Sequence, residues 1–131
     1  MKLLLDTHIW LWNLLEPEKL VARVARALEN PANEAWLSPV SIWELVILVE
    51  KRRVFLELPI AAWIQEAGEA LPFREAAVTA AVALEMSRVA LPQKDPADRL
   101  LVATARVFGL TLVTADEHLL GAKGIEVLPN R

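Results

Sequence analysis

Strands that alternate with helices along the whole chain predict an α/β fold. The expected form is a three-layer α/β/α arrangement around a central, mainly parallel sheet of four or five strands. Two observations carry this. Short apolar runs of strand length recur at Leu3-Leu4-Leu5, Glu34 to Leu37, Ala70 to Phe73, Leu110 to Val113 and Ile125 to Leu128. Between them lie segments with apolar residues three and four apart, opened by Pro, Ser or Asp. The 131 residues fit a single domain, 1–131. A chain of this size buries about 68–70% of the surface it exposes when unfolded, enough for a core without staples.

Each element has a local reason. The first apolar run ends at Asp6, and Thr7 to Leu15 reads as a helix with Trp10 and Leu14 four apart. Pro17 opens a second helix as a first-turn proline, with Leu20, Val24 and Leu28 on one face, and Asn30-Pro31 ends it. Ser38-Pro39 caps a third, which carries Ile42, Leu45, Val46 and Val49 and closes in Lys51-Arg52-Arg53, where cations suit the helix dipole. Pro59 starts a short helix with Trp63, and the Ala-rich stretch Arg74 to Val89 reads as one long helix. Asp95-Pro96 opens a helix through Val107 that Gly109 ends as a C-cap. Thr114 to Leu120 is a short helix before the last strand.

Composition narrows the function. Hydrophobic residues make up 55% and mean hydropathy is +0.35, which excludes a disordered chain. There is no cysteine, so disulfides, thiolate zinc sites, iron–sulfur clusters and cysteine nucleophiles are excluded, and 2 histidines make a poor basis for a histidine-rich metal site. A net charge of −3 argues against coating nucleic acid by bulk charge, but not against meeting it in a local groove. No run reaches the ~18 apolar residues of a membrane span. Asp6 interrupts the apolar start, so no signal peptide is expected, and the expected location is the cytoplasm.

The acids divide into 13 Glu and 4 Asp, the latter being Asp6, Asp95, Asp98 and Asp116. Each has an ordinary reading. Asp95 is placed to be an N-cap with Pro96 at N1 and Asp98 at N3. Thr114 to Glu117 and Ser41 to Glu44 both fit a capping box, and Asp6 can cap the helix after it. Glu44 strains this reading, because it lies about a turn and a half inside the helix that Ser38 opens. Taken together, Asp6, Glu44, Asp98 and Asp116 stand at starts of helices that follow or border strand ends. Ligands of open α/β sheets bind outside those carboxyl ends. Converging carboxylates stay ionised together only around a cation. All-oxygen donors point to Mg²⁺ or Mn²⁺, which can activate water against a phosphodiester.

At these residues the chain resembles the PIN-domain ribonucleases, and among them the VapC toxins of type II toxin–antitoxin systems. The matching stretches are Leu4-Leu5-Asp6-Thr7-His8, Ser41-Ile42-Trp43-Glu44, Asp95-Pro96-Ala97-Asp98-Arg99-Leu100-Leu101-Val102-Ala103-Thr104-Ala105 and Leu112-Val113-Thr114-Ala115-Asp116. All four blocks occur in order over the whole length. The resemblance implies a PIN-like fold and a Mg²⁺/Mn²⁺-dependent endoribonuclease, a hydrolase that leaves a 5′-phosphate. It implies catalytic and metal-holding roles for Asp6, Glu44, Asp98 and Asp116, with Asp6 and Asp98 the firmest ligands. Thr7, Ser41 and Thr114 are expected to support them. Of the two Asp three apart, Asp98 is chosen over Asp95, because Arg99-Leu100-Leu101 matches the family's run there. The implied partners are RNA, a cognate antitoxin and a second copy of the chain.

Arg99, beside Asp98, is expected to contact RNA phosphate or to form a structural ion pair. His8 is expected to be solvated or capping rather than a metal or phosphate contact. Of Trp10 and Trp12, two apart on one helix, one is expected at the surface, where it suits a partner. Two other functions fit less of the sequence. A catalytically silent binding or scaffold module does not explain why all four acids are present. A phosphatase with Asp6 as nucleophile normally has a second Asp two positions on, where this chain has His8.

Overall fold

The structure, a computed structural model, describes residues 1–92 and 95–131. Five strands form one sheet in the order β3-β2-β1-β4-β5, and every pairing is parallel. The strands are β1 (Lys2–Leu5), β2 (Glu34–Leu37), β3 (Phe73–Glu75), β4 (Thr111–Thr114) and β5 (Val127–Pro129). The helices are α1 (Thr7–Leu15), α2 (Ala22–Glu29), α3 (Pro39–Glu50), α4 (Ile60–Ala70), α5 (Ala80–Glu85), α6 (Pro96–Phe108) and α7 (Glu117–Leu120).

Side chains alternate across a strand, so a sheet covered on both faces needs apolar residues at every position. β1 meets that demand. Leu3 and Leu5 face one core with Ile9, Trp10, Val24, Leu37 and Leu45. Leu4 faces the other with Val82, Leu101, Val102, Leu112 and Leu119. All three leucines are fully buried. This is the expected α/β/α sandwich, with α1 to α4 on one face and α5 to α7 on the other.

Two expected helices come out differently. The segment opened by Pro17 splits into a 3₁₀ turn, Pro17–Lys19, and α2. Between them Val21 donates its backbone N–H to Asn130 Oδ1 at 2.8 Å, a partner over a hundred residues away. Arg74 to Val89 is not one helix. Phe73–Glu75 pairs with Ala35–Leu37 as the edge strand, and Ala76 N donates to Leu37 O at 2.8 Å. The helix begins only after Thr79, whose hydroxyl accepts from Val82 N, and it passes into a 3₁₀ turn at Met86–Arg88. Sheet pairing overrides the helical propensity of this stretch.

The C-cap at Gly109 forms as expected, with φ at 67°. Arg106 then ties α6 to the approach to β5. Its guanidinium donates to Lys123 O at 2.6 and 2.9 Å and stands 3.4 Å from Glu85 Oε1. Gly124, at φ +82°, passes so close that a Cβ there would lie 3.0 Å from Arg106 Nε. Glycine meets both demands at once. No helix among the described residues is long and apolar enough to cross a membrane.

Candidate active site

The strand order reverses at β1, which has β2 on one side and β4 on the other. A crevice at the carboxyl ends is expected there. A cleft of about 380 Å³ opens at that point, lined by Asp6, His8, Trp12, Glu44, Asp95, Asp98, Ala115 and Asp116. Asp6 follows β1 directly, and its N–H extends the ladder to Val113 O at 3.0 Å. Asp116 lies just beyond β4. Glu44 reaches in from the second turn of α3, and Asp95 and Asp98 from the start of α6. The fold thus brings together Asp6, Glu44, Asp98 and Asp116, distant in sequence, and adds Asp95, His8 and Trp12.

The acids are of two kinds. Asp95 and Asp116 are caps. Asp95 Oδ1 accepts from Ala97 N and Asp116 Oδ1 from His118 N, both at 2.9 Å. Asp6 stands at the N-cap position of α1 but makes no capping bond. The two expected capping boxes do not form. Ser41 is buried inside α3, whose cap is Ser38, and Thr114 ends β4 while Asp116 caps α7.

Those hydroxyls serve the acids instead. Thr114 Oγ1 donates to Asp6 Oδ2 at 2.7 Å and accepts from Asp116 N at 3.0 Å. Thr7 Oγ1 stands 2.8 Å from both Glu44 Oε1 and Ser41 Oγ. A hydroxyl has one proton, so Thr7 donates to the carboxylate and takes the Ser41 proton. Thr7, Ser41 and Thr114 are all buried. Thr7 and Thr114 therefore each hold a carboxylate from behind with fixed geometry, and Ser41 steadies Thr7.

Electrostatics follow from that placement. Burial raises the Asp6 carboxyl above its ordinary range, against the lowering effect of the Thr114 hydrogen bond. Burial likewise raises Glu44, against the bond from Thr7. Asp98 is pushed up to about 7, first by burial and then by the neighbouring charges of Asp95, Asp116, Asp6 and Glu44. These carboxylates disfavour one another's ionisation, as crowded like charges must.

The donor set fits a hard divalent cation. It is all oxygen, net negative, half-buried and backed by hydroxyls. Among the described residues no three of the acids or histidines already stand close enough to clasp an ion. Mg²⁺ keeps most of its waters and needs only one or two carboxylates, so this spacing is compatible with it. Asp6, Glu44, Asp98 and Asp116 are the residues that would hold it.

Arg99 lies elsewhere. Its Nη2 donates to Met86 O at 2.6 Å, which fastens α6 to the turn after α5, and it is not part of the cleft lining. Neither expected role, a phosphate contact or an ion pair, matches that bond. His118 is exposed beside the Asp116 it helps to anchor, with Nδ1 3.0 Å from Oδ1. His8 is exposed, in the solvated position expected of it, and with Trp12, four residues on along α1, it lines the cleft.

A family profile described as PIN domain matches residues 3–124. The chain belongs to the PIN-domain family. Within that family it is 39% identical over 119 residues to Ribonuclease VapC22 of Mycobacterium tuberculosis, covering 88% of each chain. In three dimensions this PIN domain resembles the VapBC2 complex of Rickettsia felis bound to a promoter DNA fragment, with TM-score 0.74, 16% identity and 98% of each chain covered. It also resembles the DNA-bound VapBC of Salmonella typhimurium, with TM-score 0.70, 17% identity, and 100% and 99% of the two chains covered. The two structures agree with this one in fold, which is the expected PIN-like α/β/α sandwich.

Proposed function

We propose that this PIN domain is a divalent-metal-dependent endoribonuclease and the toxin of a toxin–antitoxin pair. The observation that carries the reading is the single cleft in which Asp6, Glu44 and Asp98 hold raised affinities for protons, backed by buried hydroxyls. The 39% identity to a protein named a ribonuclease supports RNA as the substrate. Likeness to VapBC complexes supports a cognate antitoxin.

A bound Mg²⁺ or Mn²⁺ would supply positive charge against the phosphate oxygens and acidify water beside it. The chain's own residues do the rest. Thr114 orients Asp6, and the Ser41–Thr7 pair orients Glu44, so both carboxylates meet the ion with little reorganisation. Beside a bound cation these acids would favour their ionised form, and a carboxylate not bound to it would be placed to take a proton from the attacking water. Cleavage that leaves a 5′-phosphate returns a proton to the departing 3′ oxygen. The exposed Trp43 and Phe55, at 60% and 80%, give the chain apolar surface for the antitoxin and for a second copy. The cytoplasm, where RNA is made and used, is the proposed location.

The test is cleavage of a mixed RNA pool with Mg²⁺, Mn²⁺ or EDTA, beside Asp98→Asn. Metal-dependent cuts absent from the variant support the reading. Cuts that persist in EDTA, or in Asp98→Asn, overturn it.

A further inference from the structure

We propose that His8 and Trp12 form a base-stacking platform that takes an unpaired nucleobase next to the phosphate at the acids. The proposal rests on the ribonuclease reading and adds to it what grips the substrate.

The cleft poses a problem that the platform solves. Among the described residues, five of the eight that line the cleft are acids and none is Lys or Arg. These acids repel an RNA backbone except where a cation neutralises the site, and the described lining offers no phosphate contact by a basic side chain. Of the other three, His8 and Trp12 are aromatic and Ala115 is small. Stacking on an aromatic ring needs no positive charge and accepts every base, with a modest preference set by stacking strength.

The geometry suits that role. His8 and Trp12 lie one helical turn apart on α1, with ring centroids 5.8 Å apart and planes tilted by 55°. His8 is exposed, whereas Trp12 is half-buried and packed against the core, so one ring is available and the other braces it. Lys19 Nζ stands 5.5 Å from the centroid of the Trp12 ring and 3.2 Å from Glu16 Oε2, which keeps a cation at the outer rim of the platform. α1 starts directly after Asp6, and at about 1.5 Å per residue the backbones of His8 and Trp12 lie roughly 3 and 9 Å from Asp6 along its axis. A nucleotide with its phosphate at the acids has its neighbouring base within reach of that surface. A duplex keeps its bases stacked on one another, so only an unpaired base can use it.

The experiment uses single-stranded RNA with a randomised internal stretch, Mn²⁺, and sequencing of the cut ends. The proteins are the unaltered chain, His8→Ala, His8→Phe and Trp12→Leu. The unaltered chain should prefer particular bases at one position beside the cut, and His8→Ala should flatten that preference. In the best-cut sequence, an abasic site at that position should lower kcat/KM about 10- to 100-fold, mostly through KM. His8→Ala should show the same loss on the intact sequence, and His8→Phe should largely restore it. The abasic arm needs no mutation, so it stands even if Trp12→Leu unfolds. If the abasic site and His8→Ala each leave kcat/KM within about two-fold of the starting value, well under what stacking contributes, the platform is refuted and the ribonuclease reading survives. If the unaltered chain cuts no RNA with either metal, both fall.

Discussion

Between Leu5 and Asp6 the chain passes from its core to its cleft within one residue. Leu5 is fully buried among apolar neighbours, whereas Asp6 is a half-buried carboxyl whose charged form the fold disfavours. The same step occurs at the end of β4, from Val113 to Thr114 and Asp116. The two sheet faces are built from side chains that favour one another. The carboxyl-end rim gathers acids that do not, each kept in place by a hydroxyl or a helix start. Stability therefore comes from the faces, and the rim draws on it to hold a charge pattern that binding a proton relieves. Active sites commonly store this kind of unfavourable arrangement.

The sharpest way to break the contrast is a matched pair of substitutions. Leu112→Ala should lose about 2–5 kcal/mol in urea unfolding, the range for a large core truncation. Asp6→Asn, in metal-free protein, should be as stable as the unaltered chain or more so. A clear loss would mean that Asp6 is structural after all.

Catalysis should reverse that ranking. Asp98→Asn should lower RNA cleavage by more than ~100-fold, beyond the 10–100-fold that removing a group behind a metal ligand costs. Thr114→Val, which takes away the Asp6 hydrogen bond, should fall within that 10–100-fold range, measured as kcat/KM on one RNA.

The pH dependence of stability separates the regions further. An acid with a higher pKa in the folded than in the unfolded chain binds more protons when folded, so stability falls as pH rises between the two values. For Asp98 that window runs from 3.8 to about 7, and Asp6 and Glu44 act in the same direction. Metal-free protein should thus lose stability across it, less steeply in Asp98→Asn and less still with saturating Mg²⁺. A flat profile would show that the carboxylates do not repel.

The smallest effect should be at Asp95→Asn. Asparagine caps as well as aspartate, so both stability, within a few tenths of a kcal/mol, and most of the activity should remain. Loss of cleavage there, with Asp98→Asn active, would exchange the roles of the two.

Much of the fold was legible because its signals are local. α1 and β2 run over the residues that pattern and punctuation indicated, and Asp95 and Gly109 cap α6 as their chemistry requires. What failed was where distant partners compete with propensity. β3 begins at Phe73, the last residue of the expected strand, and takes Arg74 and Glu75 from an apparent helix because β2 offers its edge, and Val21 in the break before α2 gives its N–H to Asn130. The tryptophans show the same limit. Trp10 is fully buried, Trp12 half so, and Trp43 is the one left exposed.

The cleft divides in the same way. By itself the sequence determined that four acids stand at starts of helices beside strand ends, since strand, cap and helix signals lie within a few residues of each. Only the tertiary structure decided which acids are spent on capping and which face one another. Thr114 and Ser41 match capping boxes perfectly well in sequence, yet one bonds Asp6 and the other supports Thr7 across 34 residues of chain. A hydroxyl bonds whichever carboxylate or amide the packed fold brings within 3 Å, and that distance is set by the sheet, not by the spacing along the chain.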